Sequence, residues 1–107
     1  MLIVDDEPDI RLVLRVFTTS IGHDIVGEAT NGLEAIEMAR QQQPEVIILD
    51  VMMPGMTGLE ALPQLRELCP DATVVIFSVL GPGSDVALAD GWVEKGAPLE
   101  ILSAAIG

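Results

Sequence analysis

Basic residues are scarce in this chain. Lys and Arg number 5 against 17 Asp and Glu, a formal charge of −12 over 107 residues. The phosphate backbone of a nucleic acid would repel such a domain, so direct nucleic-acid binding is not expected. Cysteine is limited to Cys69, which rules out an internal disulfide and fits a reducing compartment. No apolar run reaches the ~18 residues a membrane span needs. The amino end, Met1 to Asp5, carries no basic segment of the secretory type. A single cytoplasmic domain with no membrane contact is the expectation. The lone His23 reads as a solvated turn residue, and Cys69 as a small apolar filler. Met53 and Met56 have no His or Cys beside them and read as loop packing, not as a soft-metal site.

Half of the residues are apolar, enough for a core. Val46-Ile47-Ile48-Leu49 runs without alternation, which predicts a strand buried on both faces. Asp50 follows, then a loop broken by Pro54, Gly55 and Gly58. In chain order, Leu2-Ile3-Val4 predicts a first short strand ending at Asp5-Asp6-Glu7. Pro8 opens a helix, where its missing N–H costs nothing. Ile10, Val13, Leu14 and Phe17 form one apolar stripe, taken as core. Asp24 to Ala29 predicts a second strand, weakened by Gly27. Asn31 with Glu34 marks the next helix start, with Leu33, Ile36, Ala39 and Arg40 on one side. Thr57 with Glu60 marks another, followed by Leu59, Leu62 and Leu65. Pro63 inside that pattern predicts a kink or a late start. Ala72 to Ser78 is a β-branched strand ending in a hydroxyl. Residues 81–84 read as a loop and 86–90 as a turn or two of helix. Gly91 to Lys95 predicts a fifth strand ending in a base. Pro98 starts a last helix with Leu99, Ile101, Leu102 and Ile106. Strands alternating with helices predict βαβ units and a parallel sheet covered on both faces.

Strand ends therefore carry Asp5-Asp6, Asp50, Ser78 and Lys95. In an open parallel sheet, ligands bind beyond the carboxyl ends of the strands. If the first and third strands are neighbours, Asp5, Asp6 and Asp50 converge. Unit charges 4 Å apart repel by about 1 kcal/mol in water and nearer 4 kcal/mol at a protein surface. Crowded carboxylates must then take up protons or bind a cation. Hard oxygen ligands in a small polar site suit Mg²⁺. Each residue also has an ordinary explanation. Asp5-Asp6-Glu7 before Pro8 suits a helix start, and Asp50 suits a loop start. Ser78 and Lys95 mean nothing singly. It is the combination, each residue at a carboxyl strand end, that points to a site.

Asp5-Asp6-Glu7-Pro8, the block Leu49 to Gly58, Phe77-Ser78 and Gly91-Trp92-Val93-Glu94-Lys95 together resemble the receiver domain of bacterial two-component response regulators. The match runs through the whole chain, 1–107. It implies a flavodoxin-like α/β fold, a five-stranded parallel sheet in the order 2-1-3-4-5 with helices on both faces. It implies that Asp50 is the phosphoacceptor for a sensor histidine kinase or phosphotransfer protein. Asp6, Asp50 and the backbone carbonyl of Met52 would ligate Mg²⁺, with Asp5 acting mostly through water. Lys95 would pair with the phosphoryl oxygens, and Ser78 would donate its hydroxyl to them. Trp92 stands where the family has a switch aromatic. Such a domain catalyses its own phosphorylation and dephosphorylation and is not a turnover enzyme. Its fourth-helix, fifth-strand and fifth-helix face would control an output domain and offer a homodimer contact.

The sequence departs from the family pattern in places. The span from Ser78 to Lys95 is short, so the fourth helix is expected to be shortened or disordered. Val79 is larger than usual after Ser78, and Trp92 is larger than the usual aromatic. Gly96-Ala97-Pro98 after Lys95 resembles receivers joined to helix-turn-helix DNA-binding domains, a hint of transcriptional output. The chain stops within its last helix, as an excised domain would. Met52 and Leu80 are apolar and cannot orient an attacking water, which predicts a phosphoryl group that outlasts seconds. Two rivals stand beside this reading. A phosphatase of the haloacid-dehalogenase type needs a second Asp two residues after the nucleophile, where this chain has Met52. A pseudo-receiver would bind partners without phosphorylation.

Overall fold

The computed structural model describes residues 1–79 and 88–106. Five strands form one parallel sheet: β1 (Leu2–Val4), β2 (Gly27–Ala29), β3 (Val46–Leu49), β4 (Thr73–Ser78) and β5 (Gly91–Glu94). Their order is β2-β1-β3-β4-β5, as the resemblance implied. The helices are α1 (Pro8–Ser20), α2 (Gly32–Gln42), α3 (Gly58–Leu68) and α4 (Leu99–Ile106), the last being the helix expected after Pro98.

The unbroken apolar runs have a simple cause. Neighbours along a strand point to opposite faces, and here both faces are covered. Leu2, Val4, Ile47, Leu49, Val74 and Ile76 pack on one face with Ile36 and Ala39 of α2 and Leu62 and Leu65 of α3. Ile3, Ile48, Val75, Phe77 and Val93 pack on the other with Leu14 of α1 and Leu102 and Ile106 of α4. The register Val4↔Leu49 and Leu49↔Ile76 brings the carboxyl ends of β1, β3 and β4 to one rim.

Local signals fixed the helix starts. Thr57 and Glu60 form a full reciprocal cap: Glu60 N–H donates to Thr57 Oγ1, and Thr57 N–H donates to Glu60 Oε1, each at 3.2 Å. Asn31 Oδ1 accepts from Glu34 N–H at 2.9 Å, while the Glu34 carboxylate turns back to Thr30.

Four expectations need correction. Val13 is not core; it is 48% exposed. The buried line of α1 runs through Leu14 and Thr18, and Val13 lies about 100° around the helix from Leu14. Thr18 is buried because its hydroxyl donates to the Leu14 carbonyl at 2.6 Å. Leu33 is exposed, and Gly32, Ala35, Ile36 and Ala39 form the buried side of α2. Those small residues admit α3 closely: a Cβ on Gly32 would lie 3.0 Å from the Ala61 Cβ. Of the two outcomes expected at Pro63, a kink or a late start, the late start does not occur: α3 begins at Gly58. The Thr57 cap satisfies the first turn, and the exposed Pro63 forfeits only the one bond to Leu59. The second strand begins at Gly27 instead of Asp24, because its partner β1 begins at Leu2. The expected loop at 81–84, Leu80, and the first two residues of the expected helical stretch 86–90 lie outside the described residues.

Candidate functional site

The sheet itself carries the acidic residues to one place. Asp5 N–H donates to the Ala29 carbonyl at 3.0 Å, and Asp50 N–H donates to the Val4 carbonyl at 2.9 Å. Each aspartate thus extends the ladder one residue past its strand, so its backbone is held as firmly as the strand. Lys95 does the same beyond β5, donating its N–H to the Ser78 carbonyl at 2.8 Å. The four polar positions at β1, β3, β4 and β5 therefore share the carboxyl rim.

The side chains meet there. One carboxylate oxygen from each of Asp5, Asp6 and Asp50 falls within 4.8 Å of the others. Lys95 Nζ lies 2.8 Å from Asp5 Oδ2 and 3.3 Å from Asp50 Oδ2. Asp5 and Asp50 are buried, and Asp6 is partly exposed. Asp5 Oδ1 accepts from Glu7 N–H at 2.9 Å. Asp5 Oδ2 is buried without a well-formed hydrogen bond; the short separation from Lys95 makes the contact one of charge. Ser78 is fully buried at the end of β4. Trp92 is half-buried opposite Ile76, against the face that α2 and α3 cover. The Met52 side chain is exposed, and its N–H points to Asp50 Oδ1 at 3.4 Å.

These contacts set the charge states. Burial, then the Asp5 carboxylate, push the Asp50 carboxyl above its ordinary range, against the pull of Lys95. Burial pulls the Lys95 ammonium down, but its close contacts with Asp5 and then Asp50 leave it raised. Lys95 pairs with two of the three clustered carboxylates, Asp5 and Asp50, and not with Asp6. The all-oxygen donor set of three convergent carboxylates fits a hard divalent cation.

Two features escaped the sequence reading. Arg11 of α1 reaches back to the rim, its Nη1 donating to the Asp5 carbonyl at 2.8 Å. The signal was a base one turn after Pro8, on a helix leaving an acidic loop. Gly58 is the second. A Cβ there would stand 1.9 Å from the Asp50 carbonyl oxygen. Its N–H also donates to the Val51 carbonyl at 3.1 Å, so α3 starts pressed against the Asp50 loop.

The fold and rim define a doubly wound α/β domain with a cation-suited acidic site at the carboxyl ends of its strands. The family model described as "response regulator receiver domain" matches residues 1–97. The chain belongs to that family. It is 36% identical over 81 residues to the chemotaxis protein CheY of Thermotoga maritima, covering 76% of this chain and 68% of that protein. It is 40% identical over 101 residues to the nitrate/nitrite response regulator NarL of Escherichia coli, covering 89% of this chain and 47% of that protein. Among solved structures, it resembles response regulator TrrA of Thermotoga maritima in complex with Mg²⁺ and BeF, at 31% identity and a TM-score of 0.89, covering 96% of this chain and 91% of that one. The chain thus spans under half of its NarL relative. No described helix is long and apolar enough to cross a membrane.

Proposed function

We propose that residues 1–107 act as a phosphoacceptor domain in the cytoplasm, taking a phosphoryl group from a sensor histidine kinase or phosphotransfer protein onto Asp50. The observation that carries this reading is the cluster of Asp5, Asp6 and Asp50 within 4.8 Å, faced by Lys95 at 2.8 and 3.3 Å. An Asp50 carboxylate oxygen attacks phosphorus in line. The bond from phosphorus to the donor imidazole nitrogen breaks, and its electron pair stays on that ring, which then takes a proton. Little other protein chemistry is needed, because charge stabilisation and positioning do the work in phosphoryl transfer.

Asp6, Asp50 and the Met52 carbonyl would hold Mg²⁺, which neutralises carboxylate and phosphoryl oxygens when bound. That Asp5 Oδ2 is already turned to Lys95 supports an indirect role for Asp5. Lys95 offers its ammonium to the incoming oxygens, and the Ser78 hydroxyl donates to them after transfer. The product carries about −1.5 to −2 charges where one stood. That change biases Ser78 and Trp92 and, through β5 and α4, a transcriptional output or a homodimer contact.

The test is intact mass after treatment with acetyl phosphate and Mg²⁺. One added phosphoryl group, removed by hydroxylamine and absent from Asp50→Asn, is the expected result. An unmodified parent chain would point instead to a receiver that works without phosphorylation. Release of phosphate from simple esters would point to a phosphatase.

A further inference from the structure

Arg11 contacts the site through backbone, and nothing in the phosphoacceptor reading uses it. We propose that Arg11 is a positioning residue for the cation site: its guanidinium fixes the Asp5–Asp6 peptide and thereby the aim of the Asp6 carboxylate. This rests on the reading of the rim as a divalent-cation site.

The argument begins with how unequally the two aspartates are held. Asp5 is tied by its N–H to Ala29, by Oδ1 to Glu7 and by Oδ2 to Lys95. Asp6 follows it on a loop. Among the described residues, no hydrogen bond or ion pair holds the Asp6 side chain. Its direction is then set by the peptide that precedes it. The carbonyl of that peptide is the Asp5 oxygen that accepts from Arg11 Nη1 at 2.8 Å. A free rotation there would swing the Asp6 N–Cα bond and carry the carboxylate away from Asp50.

Arg11 is itself braced. Its side chain is only 17% exposed, and its Nε lies 3.5 Å from Glu28 Oε1. The other Glu28 oxygen accepts from Arg15 Nη1 at 2.7 Å. Glu28 sits in β2 opposite Ile3, so the brace runs from the sheet through Arg11 to the loop. An exposed ion pair alone would contribute little. Here the planar fork serves a carboxylate with one nitrogen and a carbonyl with another, which a lysine ammonium matches poorly.

The sign of the effect separates this role from simple electrostatics. Removing a positive charge beside an anionic pocket should, by Coulomb's law, tighten binding of a divalent cation. Loss of positioning should weaken it. Mn²⁺ titration of the full chain, followed by the electron paramagnetic resonance of free Mn²⁺, reads this directly. Arg11→Ala is expected to weaken Mn²⁺ about tenfold, the lower range for an outer partner of a metal ligand. Arg11→Lys is expected to recover part of the loss. Arg15→Ala, which removes the same charge without touching Asp5, should bind as the parent does or slightly tighter. In phosphorylation by acetyl phosphate, the Arg11→Ala defect should appear at low Mg²⁺ and vanish at saturation. Unchanged or tighter Mn²⁺ binding by both Arg11 variants overturns the proposal. A parent chain that binds no Mn²⁺ overturns the cation-site reading itself, and the proposal with it.

Discussion

At Asp50, burial and the Asp5 carboxylate favour the protonated form, and Lys95 offsets them only in part. The folded state therefore holds this proton to a higher pH than the unfolded chain does. Between the unfolded pKa and the raised folded one, stability falls as pH rises, because the native state binds more protons. Above that window the cost is fully present. Asp50→Asn removes it, and the metal-free variant should be more stable at neutral pH by on the order of 1 kcal/mol, a rise in Tm of about 4–8 °C for a domain of this size. Thermal melts at pH 7 and pH 4 check this, with the gap expected to shrink at pH 4. Lys95 contributes stability where Asp50 imposes a cost, and its pH dependence runs the same way. Its raised pKa means its stabilisation is complete below the ordinary lysine range and is lost as pH climbs through the folded value. Asp50 was identifiable in the sequence by its place after an apolar run, and Lys95 only as one of a set of polar residues at strand ends. Arg11 was not, because its role lies in one bond to a backbone carbonyl six positions earlier.

At the scale of elements, the correction at α1 yields a sharp contrast. Leu14 is 1% exposed and Val13 48%. Leu14→Ala should cost about 2–5 kcal/mol, as buried Leu truncations do, whereas Val13→Ala should stay within about 0.5 kcal/mol, as at exposed positions. Urea midpoints of the two variants decide the matter. Equal losses would place Val13 in the core after all. Both residues fit the same helical stripe, so periodicity alone did not separate them. What separates them is the rotation of α1 against Ile3 and Ile48, a property of packing. α3 shows the converse. Its cap at Thr57 and Glu60 was plain in the sequence and formed as expected, and it let the helix tolerate Pro63. At the other end of α3, Arg66 joins Ala72, Leu88 and Asp90, tying the turn before β4 to the approach to β5.

Across the whole molecule, 5 basic and 17 acidic residues leave −12 to be held within a radius of gyration of 12.1 Å. Self-repulsion of this kind destabilises a compact state and is screened over about 10 Å at 0.1 M salt. Raising NaCl from 10 to about 200 mM should therefore raise the Tm of the metal-free chain. Mg²⁺ should add a further stabilisation of about 2.7 kcal/mol at a hundred times its Kd, since only the folded state assembles the site. Asp6→Asn should keep the response to NaCl and lose most of the response to Mg²⁺. If the two cations stabilise both proteins alike at equal ionic strength, the rim is not a specific metal site.

The order of residues alone decided that strands and helices alternate, that the central strands are buried on both faces, and that Asp5, Asp6, Asp50, Ser78 and Lys95 stand at strand ends. Those properties follow from runs and spacings short enough to be read along the chain. Only the folded sheet decided that β1 and β3 are neighbours, which puts Lys95 Nζ between Asp5 and Asp50. It also decided which side of α1 faces inward and that Arg11 and Gly58 border the site. Those outcomes depend on distances between segments far apart in sequence, and such distances are set by packing against a common core.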